Sequence, residues 1–169
     1  MMNNKFNPVK FLNAANSKKG KWHQNFYKLQ NPEKYMRKEA PFYRSSWEKR
    51  VFYMMDTNVN VIRWGSEILE IPYAFTLQHC GGNRHKYFVD IYAEIRDSTG
   101  NVVKYAIEIK PKTQCKPPKM PKIKNKKFIK NYIYNASTYI KNQNKWKAAE
   151  AFCLAKGFKF LVWTEEDIF

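Results

Sequence analysis

From Ser45 onward the chain alternates between two hydrophobic periods. The stretch SSWEKRVFYMMDTN repeats apolar residues at helical spacing, with Trp47, Val51, Phe52, Met54 and Met55 on one arc. Ser45 stands three residues before Glu48, the arrangement of a capping box, so the pattern predicts a helix of about three turns ending near Asp56. Four runs with the alternation of strands follow: NVNVIRW, EILEIPYAFTL, KYFVDIYAEIRD and NVVKYAIEIK. Each is rich in β-branched or aromatic residues, and Gly65, Gly81, Gly82 and Gly100 mark the breaks, which predicts a meander of strands.

Past Lys110 the periodicity stops. The prolines and lysines of KPKTQCKPPKMPKIKNKK exclude a regular core element and predict an exposed basic loop over 111–127. Helical spacing returns from Phe128 to Lys156, with Trp146, Ala149, Phe152 and Cys153 on one side. Gly157 stands where a C-cap belongs, so one or two helices fit. The nearly continuous apolar run FKFLVWT predicts a short strand in the middle of a sheet covered on both faces. Residues 1–40 are rich in Asn, Lys and aromatics with weak periodicity, and read as a basic arm with room for one short helix. The sum is one mixed α/β domain over 41–169, without an internal repeat.

Composition narrows the class. A chain of 169 residues supports one domain with a real core, and 44% hydrophobic with 17% aromatic residues excludes a disordered chain. Lys+Arg 31 against Asp+Glu 14 leaves a net charge of +17, which calls for a polyanionic partner. Aromatics interleaved with the basic residues, such as Trp22, Phe26 and Tyr27, favour nucleic acid over a merely solvated basic surface. Three cysteines, Cys80, Cys115 and Cys153, without CxxC spacing argue against a disulfide framework or a structural zinc site. No apolar core of a signal peptide and no run long enough to span a bilayer are present, so an intracellular protein without a membrane partner is expected.

The chemistry concentrates in YAIEIKPKTQ, residues 105–114, where an apolar strand ends in a carboxylate, one residue and an amine. Ser98-Thr99-Gly100 suits a three-residue hairpin with Gly100 in the left-handed position. Asp97 then faces Asn101, and the same register sets Asp90 opposite Glu108, with Cβ atoms about 5 Å apart. Phe88, Asp90 and Tyr92 are expected to share a face with Ala106, Glu108 and Lys110, while Val89, Ile91, Ile107 and Ile109 take the other. Two close carboxylates repel unless a cation compensates both, and Lys110 supplies only one charge. A divalent metal is the natural second partner: magnesium on Asp90 and Glu108, with manganese as a substitute and no small-molecule cofactor. Lys110 would orient the nucleophile, which describes phosphodiester hydrolysis. The competing reading is an exposed cross-strand ion pair. Glu48 falls inside the apolar arc of its helix, between Met55 and Phe52, aimed at the metal, although the capping box alone also accounts for it. Gln114 is a candidate for orienting substrate, and Lys112, Lys116, Lys119, Lys122 and Lys124 for holding the DNA backbone.

A strand aspartate, a hairpin, an ExK triplet and an upstream helical glutamate resemble the PD-(D/E)xK nucleases, although Val89 and not proline precedes Asp90. The resemblance implies a restriction-endonuclease-like core, a mixed and mainly antiparallel sheet flanked by helices. More specifically, SSWEKRVFYMMDTNVNVIRWGSEILEIPY, KYFVDIY, YAIEIKPKTQ and NKWKAAEAFCLAKGFKFLVWTEE resemble, in order and spacing, the head-completion nucleases of T4-type bacteriophages from about residue 41 onward. This implies a magnesium-dependent DNA endonuclease, with exonucleolytic action left open, needed before head–tail joining. Asp90, Glu108 and Lys110 match the catalytic triplet and Glu48 the accessory acid. Phage head, portal or neck proteins become the implied partners, and the host cytoplasm, with retention in the virion, the implied location. Two alternatives stay open: a junction- or flap-resolving nuclease, and a non-catalytic basic virion component that binds DNA.

Overall fold

A computed structural model describes residues 24–74, 84–122 and 125–169, and among them eight strands and three α-helices are assigned. Helix α1 (Ser46–Thr57) begins where the capping pattern places it. Ser45 Oγ accepts the Glu48 N–H at 3.1 Å and donates to Glu48 Oε1 at 3.0 Å, so the first turn is held by its own sequence. Its inner face buries Val51, Phe52 and Met55, with Trp47 and Met54 half-buried beside them.

The main sheet has four strands in the order β3 (Val61–Ser66), β6 (Ile91–Arg96), β7 (Val102–Ile109) and β8 (Lys159–Trp163). The first three are antiparallel neighbours and β8 lies parallel to β7. Between β6 and β7 the turn forms as expected: Asp97 N–H donates to Asn101 O at 2.8 Å, and Gly100 sits at φ +88°. Ile91 pairs with Ile107 and Tyr92 with Ala106, the register that aligns Asp90 with Glu108.

Three expectations are corrected. The run KYFVDIYAEIRD is two strands, because β5 (Arg84–Phe88) leaves the main sheet to pair with β4 (Glu70–Ala74). The alternation breaks at Val89–Asp90 as a result. Val89 packs with Tyr87 and Ala106 in one core cluster, while Ile91 and Ile107 lie in the other, so Val89 and Ile91 are on opposite faces; Phe88 is exposed. Third, β8 is an edge strand of the sheet and not a middle one. A continuous apolar run records cover on both faces; it carries no information about neighbours to either side.

Short strands β1 (Asn25–Phe26) and β2 (Phe42–Tyr43) pair with each other. Residues 24–40, read above as arm, are tied to the core. Buried Asp56, at the end of α1, accepts the backbone N–H groups of Gln30 at 2.7 Å and Asn31 at 3.0 Å and the Tyr27 hydroxyl at 3.1 Å. The Tyr35 ring packs 4.7 Å from that of Trp64, tilted by 58°. Helix α2 (Lys126–Lys156) is one continuous element, opened by Asn125, whose side chain accepts the Phe128 N–H, and closed by Gly157 at φ +70°. It covers the second core cluster through Ala149 and Cys153. Helix α3 (Glu165–Ile168) closes the first cluster through Ile168. The sheet is therefore covered by α1 on one face and α2 on the other.

Candidate active site

The break between β5 and β6 is what exposes the chemistry. With the ladder interrupted at residue 90, the Asp90 side chain takes over the role of a main-chain acceptor: Oδ2 receives the Ile109 N–H at 2.7 Å. Its other oxygen makes no hydrogen bond among the described residues. Across from it, Glu108 is 2% exposed, with Oε1 2.8 Å from Lys110 Nζ and Oε2 accepting the Tyr87 hydroxyl at 2.6 Å. Lys110 N–H donates to Trp163 O at 2.9 Å, so the parallel strand β8 pins the end of β7 and with it the ammonium.

The charges do not balance. Burial in the first place, then Glu108, raises the Asp90 carboxyl from 3.8 to about 8; Glu48 adds to this, and Lys110 and the Ile109 N–H oppose it. Burial works against the Lys110 ammonium, but Glu108, Asp90 and Glu48 outweigh it and raise its pKa. Burial and the neighbouring Glu108 push the Tyr87 hydroxyl far above its ordinary range, so it is a fixed donor.

Glu48 is engaged at the start of its helix and lies within electrostatic reach of the strand acids. Its oxygens accept from the Arg44 N–H at 2.8 Å and the Ser45 hydroxyl, while its charge acts on both Asp90 and Lys110. Beside it, Arg44 pairs with Glu67 at 2.5 Å, and the Glu67 N–H donates to Asp90 O at 3.2 Å. Glu67 is a non-glycine residue at φ +51°, the kind of strained backbone that collects at functional sites.

The structure thus brings together Asp90, Glu108, Lys110 and Glu48. It does not bring the loop lysines to them. Lys112 is paired with Glu166, and its N–H donates to Glu165 Oε2 at 2.8 Å, which fastens the loop to α3. Gln114 ends a short 3-10 turn, Lys112–Gln114, and is exposed, as are Lys116, Lys119 and Lys122; Lys124 lies outside the described residues. Two neighbours escaped sequence reasoning. Tyr87 carried only the parity of its strand, and that parity changes at the break. Lys145, on α2, was one lysine among many; its ammonium sits 5.0 Å from the centre of the Tyr87 ring and 5.9 Å from that of Tyr73. Burial lowers its pKa first, with Lys110 and Lys141 acting the same way and Glu108 and Asp90 opposing.

A sheet of this order, helices on both faces, and an aspartate and an ExK triplet on adjacent central strands define a nuclease core of the restriction-endonuclease-like type. Residues 58–165 match the model of the TnsA-like endonuclease N-terminal domain, and the chain belongs to that family. It is also 37% identical over 126 residues to the head completion nuclease of Enterobacteria phage T4, covering 75% of this chain and 79% of that protein. The protein is accordingly a nuclease. Among the described residues no helix is long and apolar enough to cross a membrane.

Proposed function

We propose that this nuclease is a magnesium-dependent DNA endonuclease acting in phage head completion, before head and tail join. The observation that carries the reading is the Asp90–Glu108 pair with Lys110 2.8 Å from Glu108. Glu108 pairs with Lys110, and Asp90 and Glu48 also act on that ammonium, so one amine is set against three acids, and this excess of hard oxygen groups suits a divalent cation. Among the described residues no three His, Cys, Asp or Glu side chains group to hold a metal by themselves. A two-carboxylate donor set matches magnesium, which keeps waters and takes substrate phosphate oxygens. Manganese, which also takes oxygen ligands, is the expected substitute.

Asp90 and Glu108 would hold the ion, which supplies Lewis-acid polarisation of the phosphoryl oxygen and a more acidic bound water. Asp90 would serve as a ligand in its ionised form, its proton released to solvent. Tyr87 keeps Glu108 turned toward the site by occupying Oε2. Lys110, held on Glu108 and on Ile109 O at 3.3 Å, orients the attacking water and offsets negative charge as it builds on the phosphorus oxygens. Glu48, anchored through the helix cap, raises the negative field that favours the cation. The relative's name supports the assembly role; action in the host cytoplasm and association with head or neck proteins are part of the same proposal.

Cleavage of linear duplex DNA by wild type and Lys110→Ala, with magnesium and with EDTA, tests the reading. The substitution is expected to lower the cleavage rate by at least about 10²-fold while DNA binding persists. Cleavage that survives EDTA, or Lys110→Ala at the wild-type rate, would sink it. End-labelled substrates in the same assay reveal any exonucleolytic component.

A further inference from the structure

Most of the lysines of α2 lie along one side of the helix. At about 100° per residue, Lys127, Lys130, Tyr134, Lys141 and Lys145 fall within an arc of roughly 60°. Lys127, Lys130, Tyr134 and Lys141 are exposed, whereas Lys145, at the inner end, is half-buried. The single carboxylate of the helix, Glu150, points to the far side, as does Lys147. The face packed on the core, with Asn142, Trp146, Ala149 and Cys153, lies a quarter turn away, so the stripe runs along the flank of the helix.

Its inner end is at the active site. Lys145 rests on the ring of Tyr87, the residue whose hydroxyl binds Glu108 Oε2, and no carboxylate of the described residues forms an ion pair with it. A half-buried ammonium held only by aromatic faces is short of an anion. From Lys127 to Lys145 the helix advances about 27 Å, most of one duplex turn of about 34 Å.

We infer that the α2 stripe is the track for the DNA backbone, with Lys127, Lys130 and Lys141 neutralising phosphates outside the site and Lys145 taking a phosphate oxygen next to the scissile bond. Tyr134 lies on the same line and offers a ring to a sugar or an unstacked base. A phosphate fits the positions of the lysines better than an acidic protein surface does, because the stripe is straight, narrow and leads to a phosphodiester-cleaving site. The inference rests on the nuclease reading for its inner end only.

Two measurements test it. Binding of a labelled duplex of about 30 base pairs is followed in EDTA as a function of salt; each phosphate contact adds about 0.9 to the slope of log affinity against log salt. Lys130→Ala and Lys141→Ala, tested singly, are each expected to reduce the slope by about 0.9, and Lys147→Ala, the same loss of one charge on the far side, to leave it unchanged. Equal losses for the two faces, or no loss for the stripe, overturn the track. In the second, Lys145→Met is expected to lower kcat/KM at least tenfold with its melting temperature within a few degrees of wild type, and Lys145→Arg to recover most of it. Wild-type kcat/KM for Lys145→Met overturns the inner contact, and so does a failure of Lys145→Arg to recover activity while folded. A wild type that binds but cuts no DNA refutes the nuclease reading instead, and the salt slopes still decide the track.

Discussion

Asp90→Asn should make the protein more stable and inactive. The substitution is isosteric, leaves an oxygen for the Ile109 N–H, and deletes only the charge. In the folded protein the carboxyl is raised from 3.8 to about 8, by burial above all and by Glu108 next. The folded state therefore keeps a proton that the unfolded chain has released, and stability falls as pH climbs from about 4 to about 8. At 1.36 kcal/mol per pH unit the full loss is roughly 6 kcal/mol. Asp90 is only partly covered, and water near the carboxylate brings this down to about 2–4 kcal/mol. Urea unfolding in EDTA, at about pH 5 and about pH 8.5, measures it. Wild type should lose about 1–3 kcal/mol between the two, since pH 5 already lies inside the range, and the Asp90→Asn protein little, so that the variant is the more stable at the higher pH. Magnesium should then raise wild-type stability at the higher pH and leave the variant unmoved, since only a state that binds the ion gains from it. An Asp90→Asn protein less stable than wild type at the higher pH, or one with the same loss between the two pH values, would refute the account of an uncompensated carboxylate cluster.

Asp56→Ala strands the Gln30 and Asn31 N–H groups beside a buried void, at a cost of about 3–5 kcal/mol; hydrogen exchange should speed up at those two amides first, and unchanged protection there would show that the N-terminal segment is held otherwise. Gly100→Ala meets no atom within 4 Å, so its cost is backbone strain alone at φ +88°, about 1–2 kcal/mol in urea unfolding. No loss at all would mean that the turn does not need the left-handed conformation.

Features set by a few neighbouring residues were legible in the amino-acid sequence alone. Ser45 and Glu48 start α1, Gly157 lies just past the end of α2, and Gly100 fixes the β6–β7 register. That register aligned Asp90 with Glu108, and the ExK spacing put Lys110 on the same carboxylate, because alternation along a strand is a local rule. Partners distant in sequence were another matter. Nothing in KYFVDIYAEIRD says that its first half pairs with β4 and its second with β3, yet that division frees the Asp90 side chain. Nor does a run of lysines say that Lys112 is taken by Glu166 while Lys145, more than thirty residues on, rests on Tyr87. Hydrophobic period reports which side of an element is covered. Which segment covers it, where a sheet ends, and which of many equal charges meets an opposite one depend on packing between elements far apart in the chain, and only the folded arrangement decides them.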